Sequence, residues 1–250
     1  GGRTVAQVEA RSAEYFRCVP FSRLKPAHFA SNDPLPRADI ERLSRPARVG
    51  EVDAFLSHSW HDPPRVRWQA LCLLAREFHA RHGRFPLLWL DRACIDQARP
   101  ADDLAVLPLY LAGCRTLAIL RSDTYLRRMW CVVELFVYLH VGGRSVKMVD
   151  APRAPGQELP PLDGFDAELA ECAYAEDKAR LMSFIEAASG TVASFNLAVA
   201  DVLRRASVGD ARSTSRNGGL TAAATGGSGQ GAPDNGHADD AGGGMPPTPG

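Results

Sequence analysis

Short apolar runs alternate with longer amphipathic segments through the middle of this chain. The short runs do not alternate between polar and apolar positions, which is typical of strands buried on both faces. They predict strands at residues 52–57, 85–90, 116–120 and 145–149. The longer segments repeat apolar residues at three- and four-residue intervals, as helices do. They predict helices at residues 65–82, 104–112 and 125–141, with one or two more within 165–206.

Strands that alternate with helices in this way predict a parallel sheet covered on both faces. The simplest such fold is an α/β, flavodoxin-like, doubly wound parallel sheet of four to five strands. In such folds the ligand crevice lies at the carboxyl ends of the strands, where the winding direction reverses between the first and third strands. The polar residues that follow these strands are therefore the first candidates for a functional site.

Composition divides the chain into three parts. Residues 1–50 hold aromatic anchors between five prolines and predict an irregular N-terminal arm. Residues 51–206 are the predicted folded domain. Residues 207–250 contain 12 of the 22 glycines and no aromatic residue, so they cannot bury enough apolar surface to offset the entropy of ordering. We expect this last part to be a disordered tail.

Charge and the lengths of the apolar runs argue against two classes of partner. The 250 residues include 29 basic and 29 acidic side chains with no dense block of Lys and Arg, which argues against nucleic-acid binding. The longest apolar run, residues 129–141, is shorter than the about twenty residues that a membrane span needs. No secretory signal pattern opens the sequence, so we expect a cytoplasmic protein.

Neither the cysteines nor the glycines indicate a bound metal or cofactor. The six cysteines are spread along the chain without a C-x-x-C pair, a pattern typical of reduced thiols rather than of a zinc site. No G-x-G-x-x-G or G-x-x-x-x-G-K loop is present, which argues against dinucleotide-dependent dehydrogenases, kinases and P-loop enzymes. We therefore expect no metal and no cofactor.

Glu134 is the single charged residue among the eleven residues 129–139, and the other ten are apolar. An ionised carboxylate in such surroundings is costly unless it is paired, or else its pKa rises. Trp130, four positions earlier, is expected on the same helical face and one turn nearer the crevice. Three interpretations are open: a functional carboxylate beneath an indole ring, a partly exposed carboxylate without a functional role, or a carboxylate paired with an arginine such as Arg127 or Arg128.

Further polar residues follow the predicted strands. They are Ser57, His58, Ser59 and Trp60 after the first strand, Asp91 after the second and Tyr125 after the third. A covalent Ser/His mechanism is disfavoured, because the G-x-S-x-G elbow is absent. Helix capping or contact with a ligand are the alternatives for this cluster.

Four motifs occur in the order and at the spacing of a known family. They are DAFLS at residues 53–57, WLD at 89–91, SDTY at 122–125 and WCVVEL at 130–135. Residues 51–150 therefore resemble a TIR (Toll/interleukin-1 receptor-like) domain of the plant type, and WCVVEL is the most specific of the motifs. The sequence departs from the family in the residues after Ser57 and in the loop at 92–100, which lacks the usual glycine.

The resemblance implies a flavodoxin-like fold and, in many members, cleavage of NAD+ at the nicotinamide–ribose bond. Glu134 matches the glutamate that is essential to that activity, so the resemblance implies a catalytic role for it and makes NAD+ the substrate rather than a cofactor. The expected substrate-binding residues are Ser57, His58, Ser59, Trp60, Asp91, Tyr125 and Trp130. Homotypic self-association in intracellular signalling or defence is also implied.

Two alternatives remain beside NAD+ cleavage. Some TIR domains are non-catalytic adaptors that act only through homotypic interactions, and the altered loop at 92–100 fits that interpretation. A related hydrolase or transferase of nucleoside bonds on the same fold would share the carboxylate but not the tryptophan–cysteine motif. Of the three we favour the NAD+ glycohydrolase, since a carboxylate in an apolar helix needs a reason.

Overall fold

The computed structural model describes residues 16–31, 35–95, 100–143, 145–162, 165–172 and 174–217. Residues 96–99 of the loop that departs from the TIR pattern lie outside the described residues, as does the predicted tail from residue 218 onward. In the described part of the chain, no helix combines the length and the apolar character needed to cross a membrane. All six cysteines are free thiols.

A six-stranded sheet forms the centre of the protein. Its strands are β1 (Arg17–Pro20), β2 (Arg45–Pro46), β3 (Val52–His58), β4 (Leu87–Trp89), β5 (Cys114–Arg121) and β6 (Val146–Asp150). They lie in the order β2-β1-β4-β3-β5-β6, and the four strands from β3 to β6 are mutually parallel. The predicted fold class is confirmed: this is an α/β protein with a mostly parallel sheet compatible with a flavodoxin-like fold.

Seven helices surround the sheet in the described part of the chain. They are α1 (Arg37–Leu43), α2 (Pro64–His82), α3 (Asp91–Cys94), α4 (Pro100–Ala112), α5 (Met129–His140), α6 (Ala175–Ser189) and α7 (Val192–Asn217). The last helix extends past residue 207, where the tail is predicted to begin. Residues 207–217 contain one glycine and no proline, so nothing in them stops a helix, whereas the glycine-rich sequence begins at 218.

The winding of the chain reverses at β3. The connection through α2 leads from β3 to β4 on one side, and the connection through α4 leads from β4 to β5 on the other side of β3. Right-handed crossovers that run in opposite directions place their helices on opposite faces of the sheet. All seven residues of β3 are buried, as a central strand covered on both faces requires.

The segment before residue 51 contributes to the sheet and its core. Strand β1 pairs antiparallel with β4, with Val19 opposite Leu88, and β2 pairs antiparallel with β1. Phe16, Val19 and Phe29 are fully or almost fully buried. The sheet thus has six strands rather than the predicted four to five. The segment that was expected to be irregular supplies the two additional strands, β1 and β2, which pair antiparallel at one side of the sheet. Prolines at the strand ends are compatible with an edge, where fewer backbone N–H groups must pair.

Helix α5 begins later than its periodicity predicts. The residues Tyr125–Arg127 form a separate turn of 3₁₀ helix, and Arg128 adopts an extended conformation with φ −101° and ψ 113° before α5 starts. The extended backbone at Arg128 forms a parallel bridge with Glu171. Pairing with a distant segment therefore interrupts a helix that local periodicity would have made continuous.

Asp53, the first residue of the DAFLS motif, joins β3 to the segment before β4. Its carboxylate is almost fully buried and accepts hydrogen bonds from both terminal nitrogens of Arg84, at 2.7 and 2.8 Å, and from the backbone N–H of Leu87 at 2.8 Å. Burial alone would raise the pKa of Asp53, but these bonds hold it below its usual value. This part of the motif is structural, because it fixes the register of the two strands.

Candidate active site

A cavity of about 260 Å³ opens at the carboxyl ends of β3 and β4 and the beginning of α5. Its walls combine aromatic rings with a few polar groups, a composition typical of ligand sites. The lining residues are Leu56, His58, Trp60, Trp89, Asp91, Ile95, Leu107, Tyr110, Arg128, Trp130, Cys131 and Glu134. The cavity thus lies beside the reversal point of the sheet, where this fold class binds ligands.

Glu134 lies in the second turn of α5 and presents a partly buried carboxylate to this cavity. Its Oε2 accepts a hydrogen bond of 2.5 Å from Ser57 Oγ at the end of β3. Burial raises the pKa of Glu134 to about 8, the Ser57 hydrogen bond partly opposes this, and the charge of Asp91 adds to the rise. No described arginine pairs with Glu134, so the salt-bridge interpretation is wrong for the described part of the chain. Glu134 is partly exposed, which is compatible with the two other interpretations.

Ser57 and Tyr125 form a hydrogen-bonded chain behind the carboxylate. Ser57 Oγ lies 2.8 Å from the hydroxyl of Tyr125, and that hydroxyl lies 3.2 Å from the carbonyl oxygen of Cys131. Both Ser57 and Tyr125 are buried. These two predicted site residues therefore position Glu134 and are not among the residues that line the cavity.

Each hydroxyl of this chain has one proton to donate, so its direction depends on the protonation of Glu134. When Glu134 is ionised, Ser57 donates to it and Tyr125 donates to Ser57. When Glu134 is protonated, it donates to Ser57, Ser57 donates to Tyr125, and Tyr125 donates to the Cys131 carbonyl. The same atoms thus form a hydrogen-bonded arrangement with either protonation state of the carboxyl.

Trp60 and Asp91 form the opposite wall of the cavity. The indole Nε1–H of Trp60 donates to Asp91 Oδ2 at 2.8 Å, and the backbone N–H of Arg92 donates to Asp91 Oδ1 at 2.6 Å. The guanidinium carbons of Arg67 and Arg92 lie 4.7 and 5.4 Å from the centre of the Trp60 ring, within the range of cation–π attraction. These contacts hold the Trp60 ring in one orientation.

His58 and Ser59 are less exposed to the cavity than the sequence predicts. The His58 ring is buried against Trp60 and Phe29, and burial lowers its pKa, so the imidazole is neutral near pH 7. Ser59 is not among the cavity-lining residues, and its Oγ lies 2.6 Å from Thr124 Oγ1. Thr124 donates to the Asp62 carboxylate, so Ser59 helps to brace the loop after β3.

The structure therefore brings His58, Trp60, Asp91, Trp130 and Glu134 to one cavity and places Ser57 and Tyr125 directly behind Glu134. Seven lining residues were not predicted as site residues: Leu107 and Tyr110 of α4, Arg128, Leu56, Trp89, Ile95 and Cys131. The first two have the spacing of ordinary core residues, so no local signal marked them. The sequence feature that could have marked Arg128 as a site residue is its position, two residues before Trp130.

No model of a known protein family and no curated protein matches this chain. Within the described residues there is no group of three or more His, Cys, Asp or Glu side chains arranged to hold a metal ion.

Proposed function

We propose that this protein is an NAD+ glycohydrolase of the TIR type, which cleaves the nicotinamide–ribose bond with Glu134 as its essential carboxylate. The observation that carries the proposal is the carboxylate itself: it has a pKa of about 8, pairs with no described cation, and faces a cavity walled by Trp60 and Trp130. Perturbed carboxyl groups in clefts are candidate catalytic groups. The four TIR-like sequence motifs support the same assignment.

The reaction suits a single carboxylate. Cleavage of an N-glycosidic bond passes through a transition state with oxocarbenium character, as glycoside hydrolysis does, and a negative charge beside the ribose stabilises it. The leaving pyridinium takes the electrons of the broken C–N bond and departs as neutral nicotinamide. No general acid is needed, so one ionised Glu134 is sufficient. Water then forms a bond to the ribose carbon and releases one proton to the solvent.

The raised pKa of Glu134 has a consequence for substrate binding. Near neutral pH the carboxyl of the free protein is mostly protonated, because its pKa is about 8. The nicotinamide ring of NAD+ is positively charged, and a positive charge a few ångströms away favours the ionised form. Substrate binding thus generates the catalytic carboxylate, and the Ser57 hydroxyl remains as its hydrogen-bond donor.

The cavity fits part of the substrate. Pockets that enclose drug-sized ligands have volumes of about 300–1,000 Å³. At about 260 Å³, this cavity accommodates a nicotinamide and its ribose, with Trp60 and Trp130 as flat surfaces for the ring. The adenosine half of NAD+ then extends out of the cavity. We place the activity in cytoplasmic signalling or defence, with self-association through TIR-like surfaces, as the resemblance implies.

The test is nicotinamide release from NAD+ by the full chain at high protein concentration, measured by chromatography. We expect release by the wild type and at least a hundredfold less by Glu134→Gln. Glu186→Gln, on the exposed side of α6, is the matched control and should leave the rate unchanged. Equal rates in the wild type and Glu134→Gln would contradict the proposal.

A folded wild type that releases no nicotinamide would also overturn the proposal and favour the non-catalytic TIR-type adaptor. That alternative predicts self-association that increases with protein concentration and is unchanged by Glu134→Gln. Sedimentation velocity of both proteins over a range of concentrations measures it directly.

A further inference from the structure

Arg128 is a cation in the wall of the cavity that contains Glu134 and Asp91. It is the residue immediately before α5, between the 3₁₀ turn that contains Tyr125 and the first helical turn that contains Trp130. Its side chain is partly buried, whereas the neighbouring Arg127 is exposed and does not line the cavity. Adjacent arginines therefore face different surroundings.

The Arg128 guanidinium makes no ion pair and no side-chain hydrogen bond with any residue that the structure describes. This distinguishes it from Arg67 and Arg92, the other arginines near the cavity. Arg67 donates to the carbonyl of Phe29 at 3.1 Å, and Arg92 donates to the carbonyl of His28 at 2.9 Å. Those two are structural, while the donors of Arg128 are available to a ligand.

The two carboxylates of the cavity do not use Arg128 either. Both oxygens of Asp91 accept hydrogen bonds, from Trp60 and from the backbone of Arg92, and Oε2 of Glu134 accepts one from Ser57. A cation in the wall of the cavity that pairs with no described residue is a binding group for an anionic ligand. Guanidinium groups hold phosphate with paired, charge-assisted hydrogen bonds.

The backbone fixes the base of the Arg128 side chain. Its N–H donates to the carbonyl of Tyr125 at 3.2 Å, and the backbone on both sides of it is joined to Glu171, with Met129 N–H donating at 3.1 Å and Arg127 carbonyl accepting at 2.6 Å. Arg128 also makes no side-chain capping bond to α5. Its replacement should therefore remove the cation without disturbing the helix.

We propose that Arg128 binds a phosphate group of the nucleotide substrate where it leaves the cavity, and so holds the ribose against Glu134. This inference rests on the proposed function, because the proposed substrate, NAD+, carries a pyrophosphate next to the ribose. Arg128 is then a positioning residue that separates phosphorylated nucleotides from simple nucleosides. The N-terminus of α5, the positive end of its helix dipole, lies directly after Arg128 and also favours a negatively charged phosphate.

The test is binding of ADP-ribose, which carries the pyrophosphate and cannot be cleaved at the missing nicotinamide bond, by isothermal titration calorimetry. We expect Arg128→Ala to weaken binding about tenfold, as the loss of a charge-assisted contact should, and Arg128→Lys to restore part of the affinity. Arg127→Ala is the matched control and should stay within twofold of the wild type. Circular dichroism and thermal unfolding verify that each variant is folded.

Three results would overturn the inference: Arg128→Ala within twofold of the wild type, an equal loss in Arg127→Ala, or no binding of ADP-ribose by the wild type at millimolar ligand. The readout is independent of turnover. If the wild type binds ADP-ribose through Arg128 but releases no nicotinamide from NAD+, the proposed activity is refuted and the binding role of Arg128 stands. If the protein cleaves NAD+ but Arg128→Ala does not weaken ADP-ribose binding, the activity stands and the role of Arg128 is refuted.

Discussion

The hydroxyl of Ser57 lies 2.5 Å from Oε2 of Glu134 and joins the end of the first parallel strand to the second turn of a helix 77 positions later. Burial raises the pKa of Glu134, and this hydrogen bond is the contact that opposes the rise. The hydroxyl of Tyr125 lies 2.8 Å from Ser57 Oγ and 3.2 Å from the Cys131 carbonyl oxygen, so two hydroxyls and a carbonyl lie behind the carboxylate. The acid–base behaviour of the site therefore depends on residues that do not touch the cavity.

The rate of NAD+ cleavage should rise with pH. The ionised form of Glu134 stabilises the transition state, and its pKa in the free protein is about 8, so kcat/KM should increase about tenfold per pH unit below 8 and level off above it. The midpoint for kcat should lie at lower pH, since the bound pyridinium favours ionisation. Steady-state rates between pH 5.5 and 9.5 measure both profiles, and a flat kcat/KM over that range would contradict this assignment.

Ser57→Ala should move this profile to higher pH. The substitution removes the hydrogen bond that stabilises ionised Glu134, so the pKa of the carboxyl rises further. We expect activity to fall about tenfold at pH 7 and to recover in part at pH 9.5. Ser183→Ala, an exposed serine of α6 that bonds only its own helix, is the matched control. A loss that is the same at both pH values would indicate a role for Ser57 other than pKa control.

Glu134→Gln should stabilise the protein in alkaline solution. The folded-state pKa of about 8 exceeds the ordinary value of 4.5, so between these pH values the folded state holds a proton that the unfolded state has released. The wild-type free energy of unfolding therefore falls as pH rises from about 4.5 to 8, while a glutamine contributes no such change.

The advantage of Glu134→Gln should thus be small at pH 5 and reach about 2–4 kcal/mol at pH 9, at about 1.4 kcal/mol for each unit of pKa difference and somewhat less for partial exposure. Urea unfolding of wild type, Glu134→Gln and the surface variant Glu186→Gln at both pH values measures it. A Glu134→Gln protein less stable than the wild type at pH 9 would show that the fold stabilises the ionised carboxylate and would contradict this prediction.

Asp53→Asn should weaken the fold rather than the site. Asn cannot accept the paired bonds of Arg84 and the Leu87 N–H as a carboxylate does, so we expect a loss of about 2 kcal/mol at pH 7. Because the pKa of Asp53 is lowered in the folded protein, its contribution is present above the unfolded value of about 4 and is lost as pH falls further.

Denaturant unfolding at pH 7 and pH 3 should therefore show the gap between the wild type and Asp53→Asn closing in acid. Asp201→Asn removes an exposed ion-pair partner of Arg204 and Arg205 and should cost less than 1 kcal/mol at either pH. If the difference in unfolding free energy between the wild type and Asp53→Asn were independent of pH, the contribution of Asp53 would come from its packing and not from its charge.

The pattern of apolar residues along the chain predicted those strands and helices whose position is determined by burial in the core. The uninterrupted apolar runs marked the parallel strands, because a strand covered on both faces has no solvent side to alternate with. The same pattern could not find β2, the two-residue edge strand, or β1, the four-residue strand next to it. It also extended α5 back to residue 125, since periodicity carries no information about the bridge between Arg128 and Glu171.

Within the candidate site, the sequence by itself determined that a lone carboxylate at position 134 stands among apolar residues, four positions after Trp130. It also determined that polar residues directly follow the predicted parallel strands. Both features involve residues that are close together in the sequence, so they can be recognised without the tertiary structure. Tertiary structure alone decided which groups touch, because contacts such as Ser57 to Glu134 or Trp60 to Asp91 join segments 77 and 31 positions apart. It decided likewise that Arg128 lines the cavity and Arg127 does not, a difference set by the extended backbone between two helical turns.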